Sequence, residues 1–171
     1  MKNTIAILSL ALLLALPVSA TTHVSDKIIA LDAGHGNGVT GAVGYCDVTN
    51  TLVNEADVNL AVRDELKAKL IASGASVHEV APLSTRKARV ADAENANSDV
   101  LISIHHNGSG DSTVDYTKSF VTQKNDKDLA KPIHNAILVA LGLDDKGIKS
   151  DGYGMTVYGS LPGVLTEAYF I

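Results

Sequence analysis

The chain has 171 residues, with 14 lysines and arginines against 19 aspartates and glutamates, and a single cysteine. This length suits one domain with one sizeable core, and an acidic balance without basic clusters argues against a nucleic-acid partner. A lone Cys46 excludes an intrachain disulfide, so packing, with or without a metal ion, must hold the fold together.

Residues 1–20 read as a secretory signal peptide. Lys2 opens a short basic region, an apolar run spans residues 5–16, and Val18-Ser19-Ala20 puts small residues at the −3 and −1 positions of a cleavage site. The run is short for a membrane span, so no transmembrane segment is expected after cleavage. No cysteine near Ala20 offers a lipid attachment point. The mature chain, 21–171, is expected outside the cytoplasmic membrane, most simply in the periplasm.

Residues 27–32 are apolar without alternation, which predicts a strand buried on both faces. Residues 33–54 read as one long loop with glycines at 34, 36 and 38, and loops of that length tend to be functional. A helix is predicted over 55–73, with Val58, Val62, Leu66 and Leu70 as its apolar stripe and Gly74 as its stop. A short strand at 76–80, Pro82 and a helix at 85–97 follow. Residues 100–105 form a second buried strand, 108–115 a polar turn, and 116–122 a third or edge strand. A helix at 128–141 must begin or kink at Pro132. Residues 147–154 read as loop, 155–158 as a strand and 163–166 as the last strand. Strands alternating with helices predict an α/β fold: a twisted, mostly parallel or mixed central sheet flanked by helices, in a single domain. Ligands of such sheets sit beyond the carboxyl ends of strands.

Three apolar runs end in chemistry-bearing residues: His35 in IIALDAGHG, His105 in VLISIHHN and Glu167 in VLTEAYF. Imidazole and carboxylate are the ligands of catalytic zinc, which keeps three protein ligands and one exchangeable position. His35, Glu55 and His105 would supply that set. On chemistry alone a plainer reading stands beside it, because a first-turn glutamate is favoured by the helix dipole and strand-end histidines are common polar residues. The GHGNG loop does not fit a dinucleotide- or phosphate-binding pattern, and no G-x-S-x-G frames a serine nucleophile. His23, His78 and His134 read as structural or solvated. His106 points to the opposite face of its strand from His105.

DAGHG at 32–36, Glu55 followed by Asn59-Leu60, SIHHN at 103–107 and LTEAYF at 165–170 stand in an order and spacing that resembles zinc-dependent N-acetylmuramoyl-L-alanine amidases, the amidase type 3 group. GAVG at 41–44, Arg89, Leu129-Ala130 and DKGIK at 145–149 are lesser echoes, and the resemblance covers nearly the whole mature chain. It implies one zinc per chain, held by His35, Glu55 and His105, with Glu167 as catalytic acid and base. It implies peptidoglycan as partner and cleavage of the amide between N-acetylmuramic acid and L-alanine. Asn107 is expected to orient substrate or a ligand. The runner-up readings are a catalytically inactive peptidoglycan-binding relative and a zinc peptidase acting on stem peptides. No activator protein is identifiable.

The chain departs from the family pattern in places. GNGVTGAVG lacks the Asp-Pro often found before Gly-Ala, the segment after Val80 lacks a Thr-Arg-x-x-Asp stretch, and Tyr169 stands where glycine is common. The terminal helix of the family is missing, which predicts an exposed apolar patch. No long helical insertion separates His105 from Glu167, so an open groove is expected.

Overall fold

The computed structural model describes residues 24–46, 49–122, 126–150 and 154–171. The signal peptide expected at 1–20, and His23, lie outside these residues. The first apolar run folds as β1 (Ile28–Ala33), with Ile29, Ala30 and Leu31 buried. The segment read as one long loop contains a hairpin instead, β2 (Val43–Cys46) antiparallel to β3 (Thr51–Asn54). Val43, Tyr45 and Leu52 stay exposed there, so no buried apolar run marks these strands in the sequence.

The next element, α1 (Glu55–Ala72), ends where Gly74 adopts φ +91° and donates its N–H to the Ile71 carbonyl. Its inward face differs from the predicted stripe. Val62 is exposed, while Glu55 and Asn59 are buried, and only Leu66 and Leu70 pack on the core. The first turns of α1 face a polar site rather than apolar surface, which hydrophobic periodicity cannot register.

β4 (Ser76–Glu79) leads to α2 (Arg86–Asn95), whose Thr85 cap accepts from the Ala88 N–H, and then to β5 (Val100–Asn107). β6 (Thr117–Phe120), α3 (Asp126–Leu141) and β7 (Asp145–Lys149) follow. The helix α3 starts ahead of Pro132 and runs through it. The carbonyl that loses its amide partner belongs to Asp128, an exposed residue that water can serve. Residues expected as a strand at 155–158 form a 3-10 turn (Gly154–Val157) instead. Gly154, Met155 and Thr156 are buried in succession, and so short a buried run does not distinguish a strand from a turn. The chain closes with β8 (Gly163–Phe170).

Six strands form one mixed sheet in the order β4-β1-β5-β8-β6-β7. β1 runs parallel to β4 and β5, and β5 parallel to β8. β6 runs antiparallel to β8 and parallel to β7. β6 is therefore an interior strand, and β4 and β7 are the edges. On one face Leu31, Ile102, Ile104 and Val164 pack with Leu66 and Leu70 of α1 and Ile133 of α3. On the other, Ala30 and Leu101 pack with Val90 and Ala93 of α2 and with Met155. Helices cover both faces, so the predicted α/β class holds. No helix of the described residues is long and apolar enough to cross a membrane.

Candidate metal centre

β1 and β5 are neighbours, so His35, just past the end of β1, meets His105 near the end of β5. The Gly34 N–H extends their pairing by donating to the Ile104 carbonyl at 2.9 Å. A Cβ on Gly34 would lie 2.3 Å from the His105 ring, so only glycine lets the two strand ends pass this closely. His35 itself sits at φ +63°, in the left-handed region that residues with a side chain rarely adopt.

Arg89 supports this strained turn from beneath. Its guanidinium donates to the carbonyls of Ala33, His35 and Leu83 and to Asp32 Oδ1, the last at 2.9 Å. The other Asp32 oxygen accepts from the Ser103 hydroxyl at 2.7 Å. Arg89 and Asp32 are both buried. Arg89 entered the sequence reading only as a family echo; its signal is an arginine on the inward face of a helix.

Glu55 opens α1 and is 3% exposed. Its Oε1 accepts from the His106 N–H at 3.1 Å and lies 2.9 Å from His105 Nδ1. Its Oε2 accepts from the Ala42 N–H at 2.9 Å and lies 3.0 Å from His35 Nε2. Gly41, at φ +69°, passes so near that a Cβ would sit 2.4 Å from Oε2. Burial pushes the Glu55 carboxyl up, but hydrogen bonds from His105, Ala42 and His106 outweigh it and hold the group at about 2. Burial lowers His35 below 6.5 against the pull of Glu55.

The ligand atoms of His35, Glu55 and His105 lie within 4.8 Å of one another, the one such grouping of three among the described residues. An ionised carboxylate with an imidazole biased toward its neutral form is what a zinc site asks of its protein ligands. The donor set therefore fits zinc.

Glu167 on β8 sits opposite His105 in the β5–β8 register. It is 7% exposed, and its Oε2 is buried without a hydrogen-bond partner among the described residues. Burial pushes its carboxyl up to about 7, with Glu55 adding to the rise and His105 opposing it. Asn107 also lines the site, with a buried Nδ2 that lacks a partner among the described residues. All five residues singled out from the sequence line one open cleft of about 700 Å³.

The remaining described histidines serve the scaffold. His106 is buried and lines the same cleft rather than lying opposite His105, its Nδ1 2.7 Å from Asn59 Oδ1 and its ring against Tyr169. Asn59 in turn donates to the Gly34 carbonyl at 3.1 Å, tying α1 to the loop of His35. His78 pairs with Asp92, and His134 bridges Ser119 and Asp145. Cys46 lies on β2 and does not join the ligand group.

Compared with known proteins, residues 29–171 match the family described as N-acetylmuramoyl-L-alanine amidase. The chain is 35% identical to YqiI of Bacillus subtilis (strain 168), over 99% of this chain and 82% of that protein. It is 31% identical to the N-acetylmuramoyl-L-alanine amidase LytC of the same organism, over 86% of this chain but 30% of LytC. Its fold is similar to the catalytic domain of CwlV, an N-acetylmuramoyl-L-alanine amidase from Bacillus (Paenibacillus) polymyxa var. colistinus. That comparison has a TM-score of 0.74 at 30% identity and covers 84% of this chain and 80% of that one.

Proposed function

This chain belongs to the N-acetylmuramoyl-L-alanine amidase family, and from that premise we propose that it hydrolyses the amide joining N-acetylmuramic acid to L-alanine in peptidoglycan. The observation that carries the reading is the convergence of His35, Glu55 and His105 beside an unpartnered Glu167 in one open cleft.

His35, Glu55 and His105 would hold one zinc ion. Such an ion supplies Lewis-acid polarisation of the amide carbonyl and acidifies water. Glu167 takes a proton from the attacking water and returns it to the departing alanine nitrogen. Its burial suits both tasks, because a carboxyl with a proton affinity near neutral can hold and release a proton at the working pH. Asn107 Nδ2 donates a hydrogen bond to the substrate, a role supported by its burial without a partner among the described residues. Arg89 and Asn59 act through the backbone, keeping the His35 loop where the metal needs it.

The wall lies beyond the cytoplasmic membrane, so residues 1–20 act as the export signal and residues 21–171 as the catalytic domain. The product acts in the periplasm or an equivalent wall space. LytC extends well past the matched region, and the reading here concerns the amidase reaction alone.

Mass spectrometry of the products released from purified peptidoglycan tests this. Intact stem peptides beginning with L-alanine, formed with zinc but not with a chelator or with Glu167→Ala, are the expected result. Shortened stems left on the glycan would identify a peptidase. No release from folded, zinc-loaded protein would identify a binding relative.

A further inference from the structure

The cleft wall next to the His35 loop carries a charge that no described residue uses. Two arginines line the cleft, Arg86 and Arg89. Arg89 is spent on Asp32 and three carbonyls. Arg86 is exposed and makes no hydrogen bond or ion pair with a described residue.

Its position is not incidental to the site. The Arg89 guanidinium holds the Leu83 carbonyl on one side and the His35 carbonyl on the other. A Cβ on Gly36 would make ordinary contact with Pro82 at 3.5 Å. The segment carrying Arg86 is thus fastened directly to the loop carrying His35. Arg86 and Lys87 also open α2, whose first turn contains no acid. Cations at the positive end of a helix are disfavoured by its dipole, so the unliganded protein holds positive charge here against its own field. Local choices that break such rules without internal compensation mark functional positions.

We propose that Arg86 binds a carboxylate of the substrate's stem peptide, which assigns the Arg86 side of the cleft to the departing peptide. The inference rests on the amidase reading. In that reaction the muramic acid carboxyl is itself consumed in the scissile amide, and the amino sugars on its side are neutral. A negative charge near the reacting bond therefore belongs to the peptide, and the nearest is the carboxylate of the acidic residue that follows alanine. A guanidinium presents a planar fork suited to a carboxylate. Leu83, partly exposed beside it, offers apolar contact to the peptide chain.

The test compares two synthetic N-acetylmuramoyl-peptides with the zinc-loaded protein, one with a free carboxylate on the second residue and one with a carboxamide there. The expected preference for the carboxylate in kcat/KM is about tenfold or more, the value of one charged hydrogen-bonded contact. Arg86→Gln should bring the ratio close to one, with Arg86→Lys between. A wild-type ratio near one, or a ratio unchanged in Arg86→Gln, would overturn the proposal.

A binding measurement separates this from failure of the amidase reading. Calorimetry with the free alanyl-glutamate dipeptide should show salt-sensitive binding that Arg86→Gln removes. If neither substrate is cleaved but that binding and its loss are seen, the amidase reading falls and the Arg86 site stands. Absence of dipeptide binding in a protein that cleaves both substrates equally would sink the Arg86 site alone.

Discussion

His105 and Glu167 are register partners on the parallel strands β5 and β8, and the register shifts immediately beyond them, between His105 and Asn107. The pairing sets a candidate metal ligand and the proposed proton carrier side by side, and the irregularity falls where the strands meet the cleft. Irregular pairing is common next to active sites because it re-aims side chains.

Glu167→Gln is expected to retain zinc and to lose turnover by about 10²–10⁴-fold, the usual weight of a positioned acid–base group. Because Glu167 is a buried carboxyl with an unpartnered oxygen, the amide should not lower the melting temperature. Zinc content, product yield and thermal unfolding on the same preparation check all three.

Asn107→Ala should weaken kcat/KM by about two- to tenfold, the worth of one ordinary hydrogen bond, with zinc content unchanged. The variant removes a donor that no described residue uses, so folding stability should change little. A loss of zinc would instead make Asn107 part of the metal site's scaffold.

Gly34→Ala places a methyl group 2.3 Å from the His105 ring, which has no room to retreat without leaving the ligand group. Overpacking of this kind costs about 1–3 kcal/mol, and zinc affinity should fall with it. Gly110→Ala is the control, since a Cβ there meets nothing within 4 Å. Denaturant unfolding and zinc titration of the two variants should diverge.

Arg89→Met leaves Asp32 buried without its counter-ion, and breaking a buried pair costs about 3–5 kcal/mol. Arg89→Lys keeps a charge but cannot serve Asp32 and three carbonyls from one planar group. It should fold with partial loss of stability and bind zinc more weakly, because the His35 carbonyl loses its anchor.

Acid should destabilise the fold through Asp92, among other carboxylates. The Ala81 N–H first, and His78 after it, hold Asp92 below its ordinary 3.8 despite some opposing desolvation. A carboxyl with a lowered folded value stabilises the protein above 3.8 and loses that contribution as the pH falls through the folded value. Asp92→Asn should therefore lower the melting temperature at pH 7 and narrow the gap between pH 7 and pH 3.

Much of this protein was legible in its residues. Unbroken apolar runs announced β1 and β5, Gly74 and Thr85 marked helix ends, and the order of His35, Glu55, His105 and Glu167 carried the family resemblance. These features are local: a run of buried side chains, a glycine able to take positive φ, or a hydroxyl beside an amide depends on neighbours along the chain. The β2–β3 hairpin escaped notice because its apolar residues face solvent. The 3-10 turn at Gly154–Val157 escaped because a short buried run does not reveal its backbone. Only the tertiary structure decided that residues remote in sequence form one site. That convergence comes from the strand order, which places β1, β5 and β8 side by side, and from long-range bonds such as Arg89 to His35 and Asn59 to Gly34. Composition and periodicity record which side of an element is buried; they do not record which element lies against it, and that pairing builds the cleft.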